Sequence, residues 1–199
     1  HPRGHRRARA HGETGAHLAR GPEDPAAGER EIPFGSGLFI GREDFAEVPP
    51  PKYFRLSPGK AVRLRNAGFL TCTGVEKDAA GKVTAVRGRF DPMEAAVKVK
   101  ATIHWVPARA AKPVEVRLYD RLFGVPEPDG DKDVDFKSHL NPDSLKTVQA
   151  LVEPCLAGAN AGERFQFERI GYFYAEPDSR PGAPVFNRTV TLKDSWKPA

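Results

Sequence analysis

Cysteine is scarce in this 199-residue chain, with only Cys72 and Cys155, which lie far apart and form no CxxC pair. That spacing excludes a disulfide framework and a cysteine-rich zinc site; two reduced, packed thiols are expected, as in cytoplasmic proteins. No apolar run approaches the length of a membrane span, and the N-terminal residues contain no apolar signal core. The cytoplasm is therefore the expected compartment, with no membrane partner. No glycine loop followed by Lys and Ser/Thr is present, no Gly-x-Ser-x-Gly elbow, and no Cys/His set with metal-ligand spacing. His104 has no nucleophile or acid fixed beside it by sequence. The acidic pairs Glu43/Asp44 and Asp133/Asp135 lie in charged segments where nothing apolar would raise a pKa, so all four are expected to be solvated. The residues name no catalytic group, no metal and no cofactor.

Strong net charge is also lacking in most of the chain. The formal charge is +5, but Arg3, Arg6, Arg7, Arg9 and Arg20 against Glu13 give residues 1–20 a charge of +4, which leaves +1 for the rest. Overall basicity thus belongs to the N-terminal segment and does not by itself argue for nucleic acid. Residues 1–21 show no sustained hydrophobic period and are expected to be a disordered basic tail. His1, His5, His11 and His17 match no ligand spacing. The chain starts at His, as a fragment, a trimmed product or an altered reading frame would. Gly21–Pro25 reads as a linker, and ordered chain is expected from Arg30.

What is present is a series of short alternating segments punctuated by 19 glycines and 19 prolines. Strands are expected over Leu38–Ile40, Ala61–Arg65, Gly68–Val75, Val83–Phe90, Val97–Val106, Val114–Phe123, Thr147–Val152, within Glu163–Tyr174, and over Pro184–Leu192. Of these, Val97–Val106 is the clearest. A hairpin loop at Lys77–Lys82 places Gly81 where a positive φ is suited. Residues 126–139 read as an exposed loop. The pattern predicts an all-β fold of barrels or a sandwich.

Two stretches carry chemistry. In Phe165-Gln166-Phe167-Glu168, two Phe rings alternate with Gln166 and Glu168. In a strand the rings can enter a core while the amide and the carboxylate share an outward face. A Gln can offer a donor and an acceptor to a base edge, and a Glu can accept from one. The bland alternative is a half-buried strand with a polar face. The second stretch, Lys52 to Asn66, contains Arg63 and Arg65 opposite Val62 and Leu64, with the two residues about 7 Å apart along the strand. Together the stretches read as an RNA-binding surface.

The blocks Arg30–Phe34, Tyr53–Leu56, Val62–Ala67, Ile103–Val106, Arg117–Phe123, Phe165–Phe173 and Val185–Val190 stand in one order across about residues 22–197. In that order they resemble the C-terminal anticodon-binding region of glutaminyl-tRNA synthetases, with the related glutamyl enzymes as the nearest confusion. The resemblance implies two antiparallel β-barrels, one inserted in the other. The proximal barrel would comprise 22–51 and 119–197, and the distal barrel 52–118. It implies that Arg55, Arg63, Arg65 and Asn66 lie at anticodon bases or their phosphates. Gln166 and Arg169 would contact an anticodon base, with Glu168 in the same strand and Lys52 as a weaker match. Strict alternation would turn Arg169 away from Gln166, unless a bulge or the strand end re-aims it. The implied partner is the anticodon loop of tRNA(Gln), bound by a monomer. The departures are that Arg20-Gly21-Pro22 stands where the family has Asn-His-Pro, and that the ATP-binding motifs of the catalytic domain are not among these residues. ATP belongs to the full-length family, and this chain by itself is not expected to activate glutamine. Two other readings stand beside this one: a general RNA-binding barrel, and an interaction or structural remnant that binds no RNA.

Overall fold

The computed structural model describes residues 5–11, 15–20, 29–95, 97–167 and 169–191, the first of these up to residue 31 by backbone alone. All regular structure among them is β-strand, apart from short 3-10 turns. No helix there is long and apolar enough to cross a membrane. The chain divides into two compact units, His1–Lys112 with Leu151–Pro154, and Pro113–Ala150 with Cys155–Ala199.

The first unit is built on β1 (His5–His11), β4 (Gly37–Gly41), β5 (Ala61–Leu64), β6 (Gly68–Lys77), β7 (Val83–Pro92), β8 (Thr102–Ile103) and β9 (Trp105–Pro107). They form one sheet in the order β8-β5-β6-β7-β1-β4-β9. Its two edge strands, β8 and β9, are separated in the chain by His104 alone. One residue cannot span a flat sheet of seven strands, so the sheet must curl until its edges meet, as in a barrel. Most pairings are antiparallel, while β1–β7 and β5–β8 are parallel. A separate pair joins β2 (Gly15–Arg20) to β3 (Glu29–Phe34). Alternation explains the core. Val62 and Leu64 of β5 are buried with Leu38, Ile40, Leu70, Val86, Ile103 and Trp105, while Arg63 and Arg65 are exposed. The β6–β7 hairpin turns as expected: Gly81 has φ 77°, and Asp78 Oδ1 accepts from the backbone N–H groups of Ala80 and Lys82.

The second unit is built on β10 (Lys112–Tyr119), β11 (Leu145–Val152), β12 (Arg164–Phe167), β13 (Gly171–Ala175) and β14 (Val185–Thr191), in the order β11-β10-β14-β13-β12. The pair β10–β14 is parallel. Phe165 and Phe167 enter its core as their alternation requires. Phe167 stacks on Phe173 at 4.2 Å, and both Phe165 and Phe167 meet Phe186 edge to face.

Four sequence expectations are corrected. Residues 5–11 and 15–20, expected to be disordered, are strands. The backbone of β1 fills the slot between β7 and β4, with Ala8 in register with both Val86 and Leu38. The run Val97–Val106 is not one strand. Only 102–103 and 105–107 pair, because the chain leaves β5 and joins β4 at His104. The units are not bounded as expected, since β4 lies in the same sheet as β5–β7, so residues 29–51 group with 52–112 rather than with 119–191.

Asp44 is the fourth. It is buried rather than solvated, 4 % exposed, with Oδ1 3.2 Å from Arg55 Nη1. Its neighbours carry it inward: Phe45 is in the core, Leu56 N–H donates to the Asp44 carbonyl at 3.0 Å, and Ala46 N–H donates to the Leu56 carbonyl at 3.1 Å. Asp133 and Asp135 are exposed, as expected.

Candidate nucleic-acid interface

The candidate residues fall into two groups, one in each unit. In the first, Arg63 stands in the middle of β5 directly opposite Phe69 on β6. Its guanidinium lies over the Phe69 ring, 5.5 Å from the centroid, and that contact orients a planar fork before any ligand arrives. No carboxylate among the described residues pairs with it. Arg65 follows at the end of β5. Its carbonyl accepts from Trp105 Nε1 at 2.9 Å, and its N–H donates to the Ile103 carbonyl at 3.1 Å. The Arg65 backbone is thus held on both sides while the side chain is exposed.

Arg55 is placed differently. Besides Asp44, its Nη1 donates to the Glu43 carbonyl at 3.1 Å. Its Nη1 is thus committed inside the protein. Arg55→Ala is expected to lower stability by about 1–3 kcal/mol, because a buried carboxylate loses its charged donor, the partly exposed side of the pair being screened by solvent. A urea titration measures this, and an unchanged midpoint would reduce the pair to a surface contact. Asp44→Ala separates the two roles, since it removes the pair but leaves the Arg55 charge available to a ligand.

Backbone strain marks three further members. Among the described residues the only non-glycines with positive φ are Lys52 (62°), Asn66 (55°) and Arg169 (61°). Each sits third in a tight turn, closed by Tyr53 N–H to the Pro50 carbonyl, Ala67 N–H to the Leu64 carbonyl, and Ile170 N–H to the Phe167 carbonyl, at 3.1, 3.1 and 2.9 Å. Glycine is the usual occupant of such a place. A longer side chain there costs roughly 1–2 kcal/mol, and such outliers cluster at functional sites. Arg169→Gly is therefore expected to leave the melting temperature unchanged or raised while RNA affinity falls. A fall in both would show that Arg169 acts through the fold.

The second group lies on the β12–β13 hairpin. Gln166 is exposed, and its amide makes no hydrogen bond to any described residue. It stands directly across from Tyr172. Arg169 is not in the strand at all. It occupies the hairpin turn between Phe167 and Gly171, so period-two alternation does not set its direction. Glu168 lies outside the described residues. Sequence reasoning missed Arg164, Tyr172 and Tyr174, which share the Gln166 face through the pairs Arg164–Tyr174 and Gln166–Tyr172. The signal was the alternation of Tyr172 and Tyr174 about Phe173. It also missed Phe54, which is 53 % exposed and carries Lys100 Nζ 4.9 Å from its ring centroid.

The chemistry of both groups is that of single-stranded RNA readers: planar donors and amides held on rigid strands, with aromatic faces nearby. Among the described residues no group of three or more His, Cys, Asp or Glu side chains could hold a metal ion.

Comparison with known proteins agrees. Residues 9–91 and 102–176 match two family models, each described as an anticodon-binding domain of class I (E and Q) tRNA synthetases. The glutamine–tRNA ligase of Ralstonia pickettii is 55 % identical over 184 residues, covering 88 % of this chain and 32 % of that protein. The ligase of Bordetella avium is 52 % identical over 185 residues, with 89 % and 31 % covered. That of Rhodopirellula baltica is 51 % identical over 182 residues, with 88 % and 30 % covered. The chain therefore spans about a third of the length of the curated relatives it matches.

Proposed function

Because this chain belongs to the anticodon-binding domain family of the class I (E and Q) tRNA synthetases, we propose that it binds the anticodon loop of a glutamine tRNA and reads its bases for a glutamine–tRNA ligase. The observation that carries this reading is the state of Arg63 and Gln166. Each projects from the middle of a strand whose neighbouring side chains are anchored in a core, and each keeps its polar edge unpaired within the described protein. Such groups are pre-organised for a base edge, and they cost no internal hydrogen bond when a ligand binds. In the first unit Arg65, Asn66 and Lys52, and in the second Arg169, are assigned as further phosphate or base contacts, and Glu168 is kept as a candidate contact by resemblance. Aminoacylation, with its ATP, is assigned to the remaining two thirds of such a ligase. The working state is a cytoplasmic monomer.

The test is binding of the chain to an anticodon stem-loop with CUG, beside one with its middle base changed, at fixed moderate salt. Preference for CUG supports the reading. Equal binding would leave backbone electrostatics alone and favour a general RNA-binding barrel. Arg63→Ala and Gln166→Ala should each cost about 1–3 kcal/mol on the cognate loop. Equal losses on every anticodon would move the residue concerned from base reading to phosphate positioning.

A further inference from the structure

A groove of about 510 Å³ opens at the β12–β13 hairpin, lined by Arg164, Phe165 and Gln166 on one strand and Tyr172, Phe173 and Tyr174 on the next, with Thr189 of β14 at its side. The register sets Arg164 beside Tyr174 and Gln166 beside Tyr172, and directly paired Cβ atoms stand about 5 Å apart. Tyr172 is 47 % exposed, and Tyr174 is half-buried. The opposite face is packed by Phe165, Phe167 and Phe173, so the strands carrying the two phenols are held from behind. Thr189 Oγ1 adds a bond to the Tyr172 carbonyl at 3.2 Å. Arg164 pairs with no acid among the described residues.

The spacing is what makes this groove specific. Residues two apart along a strand are separated by roughly 7 Å. Two carbon contacts of about 3.5 Å span the same distance. One flat ring therefore fits between the phenols of Tyr172 and Tyr174. A ligand for this groove needs two apolar faces, a hydrogen-bonding edge for the Gln166 amide, and a negative charge nearby for Arg164. An unstacked nucleotide has all three.

The geometry points to a nucleobase clamp. Tyr172 and Tyr174 hold the two faces of the base whose edge Gln166 meets, and Arg164 neutralises the adjoining phosphate. The clamp rests on the anticodon-binding reading above and adds to it a stacking site. Edge recognition alone leaves the splayed base free to swing, whereas a ring on each side fixes its plane and presents its edge to Gln166.

The test uses the full chain and glutamine anticodon stem-loops carrying a fluorescent base analogue at each anticodon position in turn. The expected result is strong quenching at one position. Tyr172→Leu and Tyr174→Leu should each weaken binding by roughly 5- to 150-fold, the range for loss of one base–aromatic stack, and abolish that quenching. Tyr172→Phe and Tyr174→Phe should restore both, because the ring and not the hydroxyl does the stacking. Arg164→Gln should reduce the slope of log affinity against log salt by about one. Circular dichroism establishes that each variant is folded, and the Phe variants stand in should a Leu variant fail to fold. Leu variants that bind and quench like the parent, while Gln166→Ala still weakens binding, would overturn the clamp and leave the anticodon reading in place. A parent chain that binds no stem-loop overturns both.

Discussion

Trp105→Ala is expected to destabilise the first unit by about 3–5 kcal/mol, the range for truncating a buried aromatic that leaves a cavity. Trp105 is 2 % exposed and meets the Phe34 ring edge to face at 5.3 Å. It also stands beside His104, where the edges of the seven-stranded sheet come together. Its second role is polar, because Nε1 supplies the bond to the Arg65 carbonyl at 2.9 Å. Trp105→Phe keeps much of the packing and removes that donor. The half-buried carbonyl is then left without it, at a cost of about 1–2 kcal/mol. The turn carrying Arg65 and Asn66 should loosen, and affinity for the stem-loop should fall although Trp105 itself faces the core. Urea denaturation read beside stem-loop titration separates the effects. A Trp105→Phe variant with parental stability and affinity would show that the indole bond positions nothing.

The second large effect is expected at Gly171. Its φ is 155°, and a Cβ built there would fall against the backbone carbonyl oxygen of Val190. That oxygen belongs to β14 and cannot retreat without disturbing the pairs Gly171–Thr191 and Tyr172–Val190. Gly171→Ala should therefore cost about 2–4 kcal/mol, strain and overpacking together. It should also displace Tyr172 and Gln166, so RNA affinity falls with stability. Gly74→Ala is the control, because nothing lies within 4 Å of a Cβ at that position. Melting temperatures of the two variants make the comparison, and equal shifts would refute the steric account.

The outward placement of Gln166 and Arg63 could be read without a structure, for a simple reason. Each alternates with apolar residues that need a core, and in a half-buried strand a period of two decides the face. The blocks that resemble the anticodon-binding family were legible on the same footing, since they include those core positions and the residues between them. The Tyr172–Tyr174 face was written in the same alternation. Nothing local, however, says that Arg164 and Gln166 will pair beside it, because pairing is a property of two strands.

The sequence by itself determined that this chain is all-β, where most of its strands run, which side chains face outward on them, and which family it resembles. Those outcomes depend on neighbours one to four residues away, which alternation and turn chemistry encode directly. The tertiary structure decided the rest. Residues 5–11 look like a solvated basic tail until β4 and β7 leave a gap for their backbone to fill. The run Val97–Val106 has the pattern of one strand, yet it divides because the closing sheet gives its two halves different partners. Asp44 is drawn inside by Phe45 and meets Arg55, a residue that the family resemblance assigned to the ligand. Arg169 is aimed by a left-handed turn and not by strand parity. In each case the deciding energy comes from burial and hydrogen bonds between segments distant in sequence, which no local pattern records.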